Sequence, residues 1–276
     1  MSHTWHKDAT PPPFAPTWRE WLRILRRALP LGLVTFGCLG LLLLVRCIER
    51  PLFGLRRPVT PYITQFVCWS AFWIMGMTHR IQGTRMTQRG AIVANHASWL
   101  DIFALNARQR IYFVAKAEVA GWAGIGWLAR ATGTVFIRRS RVEAARQTLL
   151  FAARLRAGHQ LLFFPEGTSS DSLRVLPFKP TLFAAFFEDR LREVLHIQPV
   201  TVRYTAPAGA NADFYGWWGD MDFAPHLLKT LAAKHPGAVD VMYHAPVAVR
   251  DFDDRKALSA AMETAVRSGL KAPASV

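Results

Sequence analysis

The chain has 276 residues, of which 51% are hydrophobic and 19% are charged, and 34 Lys and Arg against 19 Asp and Glu give a formal net charge of +15. This composition argues against a disordered chain, and three cysteines without a CxxC pair argue against a disulfide scaffold or a zinc module. A mean hydropathy of +0.12 beside a sequence pI near 10.7 is unusual for a soluble nucleic-acid-binding protein. The combination favours a protein on an anionic membrane surface, with no nucleic acid as partner.

A polar tail and two apolar segments come first. Residues 1–17 carry four prolines and no apolar periodicity, which predicts a disordered tail. Residues 28–45 and 58–78 contain no charged residue, and as helices they would be about 27 and 32 Å long, near the ~30 Å hydrocarbon thickness of a bilayer. We therefore predict a membrane-associated helical hairpin over residues 18–80.

Arginine clusters flank both apolar segments and bear on how they meet the membrane. They lie at 19–27, 46–57 and 80–89, and positive charge favours the cytoplasmic side. A spanning hairpin would put the middle cluster on the far side, whereas helices that dip into one leaflet keep all three clusters at the cytoplasmic headgroups. We prefer the half-buried hairpin, on the cytoplasmic face of the inner membrane. A buried soluble helix pair is disfavoured because residues 66–77 are apolar on every face.

Strand and helix patterns alternate through the rest of the chain. Short apolar runs bounded by Gly, Pro and Asn predict strands at 91–94, 112–115, 135–137, 161–164, 197–204 and 241–243. Helical periods predict helices at 101–107, 141–157, 181–195 and 254–268. The alternation predicts an α/β domain over residues 85–276.

A histidine and an aspartate, His96 and Asp101, lie where a predicted strand ends and a helix begins. A histidine can accept a hydroxyl proton, and a carboxylate on its other ring nitrogen fixes the tautomer and stabilises the imidazolium. The pattern therefore indicates a catalytic base and its orienting group. The alternative is a capping box, in which Ser98 is the N-cap and Asp101 only stabilises the helix start.

The same spacing occurs twice more in the chain. His3 and Asp8 lie in the proline-rich tail, and His235 and Asp240 bracket a Pro-Gly turn. Neither pair has a rigid element on both sides to hold a catalytic geometry. We therefore expect no catalytic role for either pair.

Two further blocks follow predicted strands. Glu166, Gly167 and Thr168 supply a carboxylate, a flexible backbone and a hydroxyl at a strand end, where α/β sheets bind ligands. Arg138 and Arg139 follow another strand and could form a bidentate phosphate clamp. Taken alone, the first block could equally be a turn, and the second a solvated strand end.

Four blocks in this order resemble the lysophospholipid acyltransferase family, which includes the 1-acylglycerol-3-phosphate acyltransferases. They are residues 95–101, 133–139, 164–168 and 197–200, and the match covers about residues 90–205. The resemblance implies a mixed sheet flanked by helices and a catalytic pair formed by His96 and Asp101. It also implies an acceptor headgroup site at Arg139 and residues 166–168, and Lys116 is similar to a family lysine between the first two blocks.

The residues and the resemblance together predict acyl transfer from a thioester, acyl-CoA or acyl carrier protein, to the free hydroxyl of 1-acylglycerol-3-phosphate, which makes phosphatidic acid. His96 would deprotonate that hydroxyl for direct attack, since the sequence contains no G-x-S-x-G nucleophile elbow. No metal and no cofactor other than the acyl donor is predicted. The alternatives from other classes are a lipid hydrolase and a non-catalytic membrane-binding protein.

One departure from the family pattern concerns the acceptor. Members that use phosphate acceptors often have an arginine after Glu-Gly-Thr, and this chain has Ser169 there. The segment 216–222, followed by Pro225 and His226, is similar to a bacterial branch whose members act on lyso-ornithine lipid, although it could also be an interfacial aromatic patch. Lyso-ornithine lipid is therefore the alternative acceptor.

Overall fold

Two long helices open the fold of this computed structural model, which describes residues 4–7, 14–122, 124–137, 144–187 and 189–271. Thr17 and Glu20 form a capping box that starts α1 (Trp18–Phe53). The buried carboxylate of Glu49 accepts hydrogen bonds from the amides of Val59 and Thr60, where α2 (Thr60–Met75) begins. This contact fixes the turn between the two helices.

A mixed sheet forms the centre of the molecule. Its strands among the described residues are β1 (Thr78–Gln82), β2 (Gly90–Ala94), β3 (Ile111–Lys116), β4 (Val135–Ile137), β5 (Gln160–Phe163), β6 (His196–Thr205), β7 (Ala238–Tyr243) and β8 (Val247–Ala248). They run in the order β1-β7-β6-β2-β5-β3-β4, with β8 paired to β6. All pairings are parallel except those of β6 with β7 and β8.

Helices cover both faces of the sheet. They are α3 (Leu100–Asn106), α4 (Ile125–Thr132), α5 (Ala144–Arg156), α6 (Asp189–Arg192), α7 (Phe223–Ala232) and α8 (Arg255–Lys271), with 3-10 turns at Ala117–Gly121, Pro180–Phe187 and Val249–Asp251. Side chains alternate along β2, so that Ile92 faces a core with α2, α3 and α7, while Val93 faces a core with α5 and α8. The predicted α/β fold with a mixed sheet and flanking helices is confirmed.

Several predicted boundaries differ from the structure. The sheet begins at Thr78, not after residue 85, because β1 pairs in parallel with β7. The helix predicted at 181–195 is a 3-10 turn followed by the short α6, and α4 and α7 were not predicted. The predicted disordered tail is wrong for the described residues within 1–17, since Thr17 caps α1 and Trp5 packs on Trp218.

The second apolar segment is a layer of the domain and not a membrane-length helix. α2 has 16 residues, and its Cys68, Phe72 and Met75 side chains are buried in the core beneath the sheet. Among the described residues, α1 alone is long and apolar enough to cross a membrane, with 6% of its most apolar window buried. The sequence did not predict the core contacts of α2, because a buried core helix and a membrane helix are equally apolar. The opposite face of α2 exposes Phe66, Trp69 and Trp73, so a half-buried hairpin stays a prediction.

Both ends of α1 are attached to the α/β domain. Near its start, the guanidiniums of Arg23 and Arg27 donate to carbonyls at the end of α7, at 2.7 Å to Ala232 and 2.7 Å to Leu231. Just after its end, Arg57 donates to the carbonyl of Ala131 in α4 at 2.7 Å. α1 therefore runs along the surface of the domain and does not project away from it.

Candidate active site

The loop after β2 lies at the centre of the sheet, between β5 and β6. The side-chain NH2 of Asn95 donates to the carbonyl of Val202 in β6, and its side-chain oxygen accepts from the backbone N–H of Val202, both at 2.8 Å. These two bonds hold the loop against the neighbouring strand. Because β2 and β5 are parallel, their carboxyl ends meet at one edge of the sheet. His96 and Glu166, which follow these two strands, are brought together there.

His96 and Asp101 form a direct hydrogen bond. Nδ1 of His96 lies 2.8 Å from Oδ2 of Asp101, whose side chain is fully buried. The imidazole stacks on Phe164, with ring centroids 4.0 Å apart and planes 10° apart, and stays 19% exposed. With Nδ1–H donated to the carboxylate, the lone pair is on Nε2, so the ring can accept a proton from a bound hydroxyl.

The Asp101 carboxylate has three further donors. Its Oδ2 accepts the amides of Ala97 at 2.8 Å and Ser98 at 3.0 Å, and its Oδ1 accepts the hydroxyl of Tyr204 at 2.7 Å. Burial, together with the nearby carboxylate, raises the pKa of Tyr204 well above its usual value, so that its hydroxyl remains a donor. These bonds fix the carboxylate against the imidazole.

The capping-box alternative is half correct. Asp101 accepts a hydrogen bond from the backbone N–H of Ser98, as the N3 residue of a capping box does from its N-cap residue. The reciprocal bond is missing, because the buried Ser98 hydroxyl has no hydrogen-bond partner. The same carboxylate oxygen that organises the helix start also holds His96. One side chain therefore both stabilises the start of α3 and orients the imidazole.

Glu166 is part of the framework under the loop. Its two carboxylate oxygens accept the amide of His96 at 2.6 Å and the amide of Leu176 at 2.7 Å, and the residue is 1% exposed. Burial raises the pKa of Glu166 to about 8, although both backbone donors act to lower it. The resemblance implied that Glu166 lines the headgroup site, but its carboxylate is turned into the protein, where it positions His96.

Of the other predicted binding residues, the structure describes Gly167, Thr168 and Lys116. Gly167, with φ near +73°, turns the chain so that Thr168 comes to the surface, half-buried. Lys116 ends β3 opposite Ile137 of β4. Arg138 and Arg139 follow Ile137 and lie outside the described residues.

Some supporting residues had little or no sequence signal. Tyr204 comes from β6, more than a hundred positions from the aspartate to which it donates. His226 accepts the indole N–H of Trp99 at 2.9 Å and lies 2.9 Å from the Gly216 carbonyl, so it connects the His96 loop with segment 216–222. The similarity of that segment to one bacterial branch was the only hint of this connection.

The other two histidine–aspartate spacings do not form comparable pairs in the described chain. Asp240 is buried and lies 3.2 Å from Arg203 and 3.6 Å from Arg80, whereas His235 is exposed. His3 and Asp8 lie outside the described residues. The rigid strand-to-helix setting distinguishes His96 and Asp101 from the Asp240 pair.

Comparison with known proteins identifies the family of the chain. A family model described as Acyltransferase matches residues 78–203. A lyso-ornithine lipid O-acyltransferase from Rhodobacter capsulatus is 55% identical over 266 residues, covering 96% of this chain and 96% of that protein. A 1-acyl-sn-glycerol-3-phosphate acyltransferase from Neisseria gonorrhoeae is 30% identical over 178 residues, covering 64% and 68%.

The fold comparison gives the same result. The crystal structure of the 1-acyl-sn-glycerophosphate acyltransferase from Thermotoga maritima superposes with a TM-score of 0.65, covering 94% of this chain and 98% of that chain at 23% identity. That likeness concerns the fold, whereas the Rhodobacter relative matches nearly the whole sequence. The chain belongs to the lysophospholipid acyltransferase family, in the branch of the lyso-ornithine lipid O-acyltransferases.

Proposed function

We propose that the enzyme transfers an acyl group from a thioester to the free hydroxyl of a lysolipid, with His96 as general base and Asp101 as its orienting group. The observation that carries the assignment is the 2.8 Å contact between Nδ1 of His96 and the buried Asp101 carboxylate. Nε2 takes the hydroxyl proton as the oxygen attacks the thioester carbonyl carbon. The tetrahedral intermediate then expels the thiolate, which recovers the proton from the imidazolium, giving the ester and a free thiol.

Lyso-ornithine lipid is the acceptor we propose first. The Rhodobacter relative named for this acceptor matches 96% of the chain at 55% identity. Ser169 agrees with that choice, since the position lacks the guanidinium that often reads a phosphate. The ornithine headgroup carries an ammonium and a carboxylate, so its binding does not require residues that recognise a phosphate dianion.

1-Acylglycerol-3-phosphate is the second candidate acceptor. It is supported by the Neisseria relative, by Lys116 at the end of β3, and by Arg138 and Arg139, which follow β4 in the sequence. We propose that these residues contribute to headgroup binding, together with Thr168. A site that combines Ser169 with these cationic residues would accept either lysolipid.

We propose that the enzyme lies on the cytoplasmic face of the inner membrane, with α1 half-buried in one leaflet. The support is that both ends of α1 bond to the α/β domain, while leucines along its middle, such as Leu33 and Leu44, are exposed. A helix that is held against one domain at both ends can place its exposed leucines in the leaflet next to that domain without crossing the bilayer. The net charge of +15 would attract anionic lipids and the acidic donors acyl-CoA or acyl carrier protein.

Acyl transfer with a labelled thioester tests the function. Vesicles containing wild-type enzyme receive lyso-ornithine lipid, 1-acylglycerol-3-phosphate or no acceptor, with each of the two donors. We expect labelled ornithine lipid and phosphatidic acid only when the matching acceptor is added. Labelled free fatty acid alone would indicate a hydrolase, and unchanged thioester would indicate a binding protein.

Cysteine labelling tests the membrane placement. Arg50 is exposed, and the variant Arg50→Cys is combined with Cys38→Ser and Cys47→Ser to remove accessible native thiols. We expect an impermeant maleimide to label it from the cytoplasmic side only. Labelling from the outer side only would contradict the half-buried placement.

A further inference from the structure

The N-terminal strap, residues 4–7, lies across the surface beside the Glu-Gly-Thr block. The Trp5 carbonyl accepts the amide of Gly219 at 3.1 Å, and the Trp5 amide lies 3.5 Å from Oγ1 of Thr168. Gly219 permits this approach, because a Cβ there would come within 3.0 Å of the His6 ring at a φ of +61°. The strap is therefore held on the surface by backbone hydrogen bonds and by close packing against Gly219.

Lys7 is held at a carboxylate beside an aromatic face. Its Nζ lies 2.7 Å from Oδ2 of Asp213 and 5.5 Å from the ring centroid of Trp218. Trp218 is 5% exposed, whereas the Asp213 and Lys7 side chains are 22% and 34% exposed. A carboxylate next to an indole suits a primary ammonium, and the partial exposure lets another ammonium replace that of Lys7.

This ammonium position adjoins the catalytic loop. The amide of Trp217 donates to the carbonyl of Ala97 at 2.9 Å, so Trp218 is one residue away from a direct contact with the residue after His96. The strap also contacts Thr168, and the amide of Ser170 donates to the His96 carbonyl at 2.9 Å. Backbone hydrogen bonds therefore connect the segment that contains Trp218 directly to the loop that contains His96.

We propose that Asp213 and Trp218 form the subsite for the acceptor's headgroup ammonium, and that Lys7 occupies this subsite as an internal stand-in. The inference rests on the proposed lyso-ornithine acceptor. An ornithine side chain ends in a primary ammonium on three methylenes, and Lys7 presents the same group on four. A glycerophosphate headgroup has no cation for Asp213, so the subsite selects amino lipids.

Acceptor kinetics of Asp213→Asn test the subsite with three acceptors: lyso-ornithine lipid, the same lipid acetylated on its side-chain nitrogen, and 1-acylglycerol-3-phosphate. We expect the variant to raise KM for lyso-ornithine lipid about fivefold to tenfold and to leave the other two within about twofold. Acetylation should raise KM in the wild type by a similar factor and have no further effect in Asp213→Asn. Asp220→Asn, an exposed acidic change in the neighbouring segment, is the matched control.

Lys7→Met tests the stand-in, because it keeps the apolar stem of the side chain and removes its charge. We expect KM for lyso-ornithine lipid to fall about threefold with kcat unchanged, since the internal competitor is gone. Equal KM changes for all three acceptors in either variant, or no fall in Lys7→Met, would overturn the subsite. If wild-type enzyme does not acylate lyso-ornithine lipid at all, the proposed acceptor itself is wrong.

Discussion

The loop that holds His96 and the surface around Lys7 and Asp213 are built in opposite ways. Around His96, the supporting carboxylates of Asp101 and Glu166 are at most 1% exposed and every oxygen accepts a hydrogen bond. Lys7 and Asp213 are partly exposed and form an ion pair between distant segments. Under the proposed function, we expect the chemical step to depend on the rigid buried network, and acceptor choice to depend on side chains that can change with little effect on the fold.

The largest expected effect is at the base itself. We expect His96→Ala to lower acyl transfer by about 1,000-fold or more and to leave vesicle binding unchanged, because the imidazole acts on the reaction barrier and not on anchoring. Transfer of label to lysolipid measures the activity, and co-flotation of the enzyme with the same vesicles measures the binding. His235→Ala is the matched control, and a comparable loss in that variant would show that the wrong histidine was chosen.

Asp101→Asn should cost less than His96→Ala. The amide oxygen can still accept the Ala97 and Ser98 amides, so the helix start survives, but it cannot stabilise an imidazolium. We expect a loss of about 100-fold in kcat, which is less than the ~10⁴-fold of an Asp-to-Asn change that reverses the imidazole tautomer, because the Ala97 and Ser98 amides keep the amide oxygen towards Nδ1–H. The melting temperature should stay close to that of the wild type. An unfolded variant would indicate that the helix start depends on the negative charge.

Glu166→Gln tests whether the buried framework positions the loop. An amide group must turn its NH2 towards the backbone N–H of either His96 or Leu176, so one buried donor loses its acceptor. We expect a stability loss of about 1–3 kcal/mol and a kcat loss of about tenfold to 100-fold. Thermal unfolding and kinetics measure the two, and exposed Glu193→Gln is the control. A selective rise in acceptor KM would instead place Glu166 against the headgroup.

Buried neutral histidines predict acid sensitivity of the fold. Burial lowers the pKa of His226 to about 3 and that of His159 to about 4. Because these folded-state values lie below the usual 6.5, the neutral rings stabilise the fold above pH 6.5, and this stability is lost as pH falls towards 4. Each should contribute about 2 kcal/mol between pH 6.5 and 5.

Denaturant unfolding at pH 7.5 and pH 5 measures this dependence. His226→Gln should flatten the stability curve between the two values, since the variant has no ring to protonate at that position. His235→Gln, which changes an exposed histidine, should leave the slope as it is. An unaltered slope in His226→Gln would mean that other groups cause the acid sensitivity.

The comparison also explains what could be predicted from the sequence. The strands around His96 and the His96–Asp101 spacing were predictable because short apolar runs and a strand-to-helix junction are local patterns. Tyr204 and the Lys7–Asp213 contact join positions far apart in the chain, so no local pattern could indicate them. The core contacts of α2 were not predictable because burial in a core and burial in lipid select the same residues, and deletion of α2 would remove core side chains such as Phe72.

The smallest expected effect is on acceptor preference, at Ser169. This half-buried residue follows the Glu-Gly-Thr block and stands where an arginine is often found in the family. A guanidinium there would add a bidentate contact to a phosphate dianion, and partial exposure limits its contribution. We expect Ser169→Arg to raise the preference for 1-acylglycerol-3-phosphate over lyso-ornithine lipid about fivefold, with both lipids competing in one vesicle preparation. Ser169→Gln controls for side-chain size, and an equal shift in that variant would mean that volume and not charge changes the preference. An unchanged ratio in Ser169→Arg would place acceptor choice elsewhere, on the Asp213 and Trp218 side of the site.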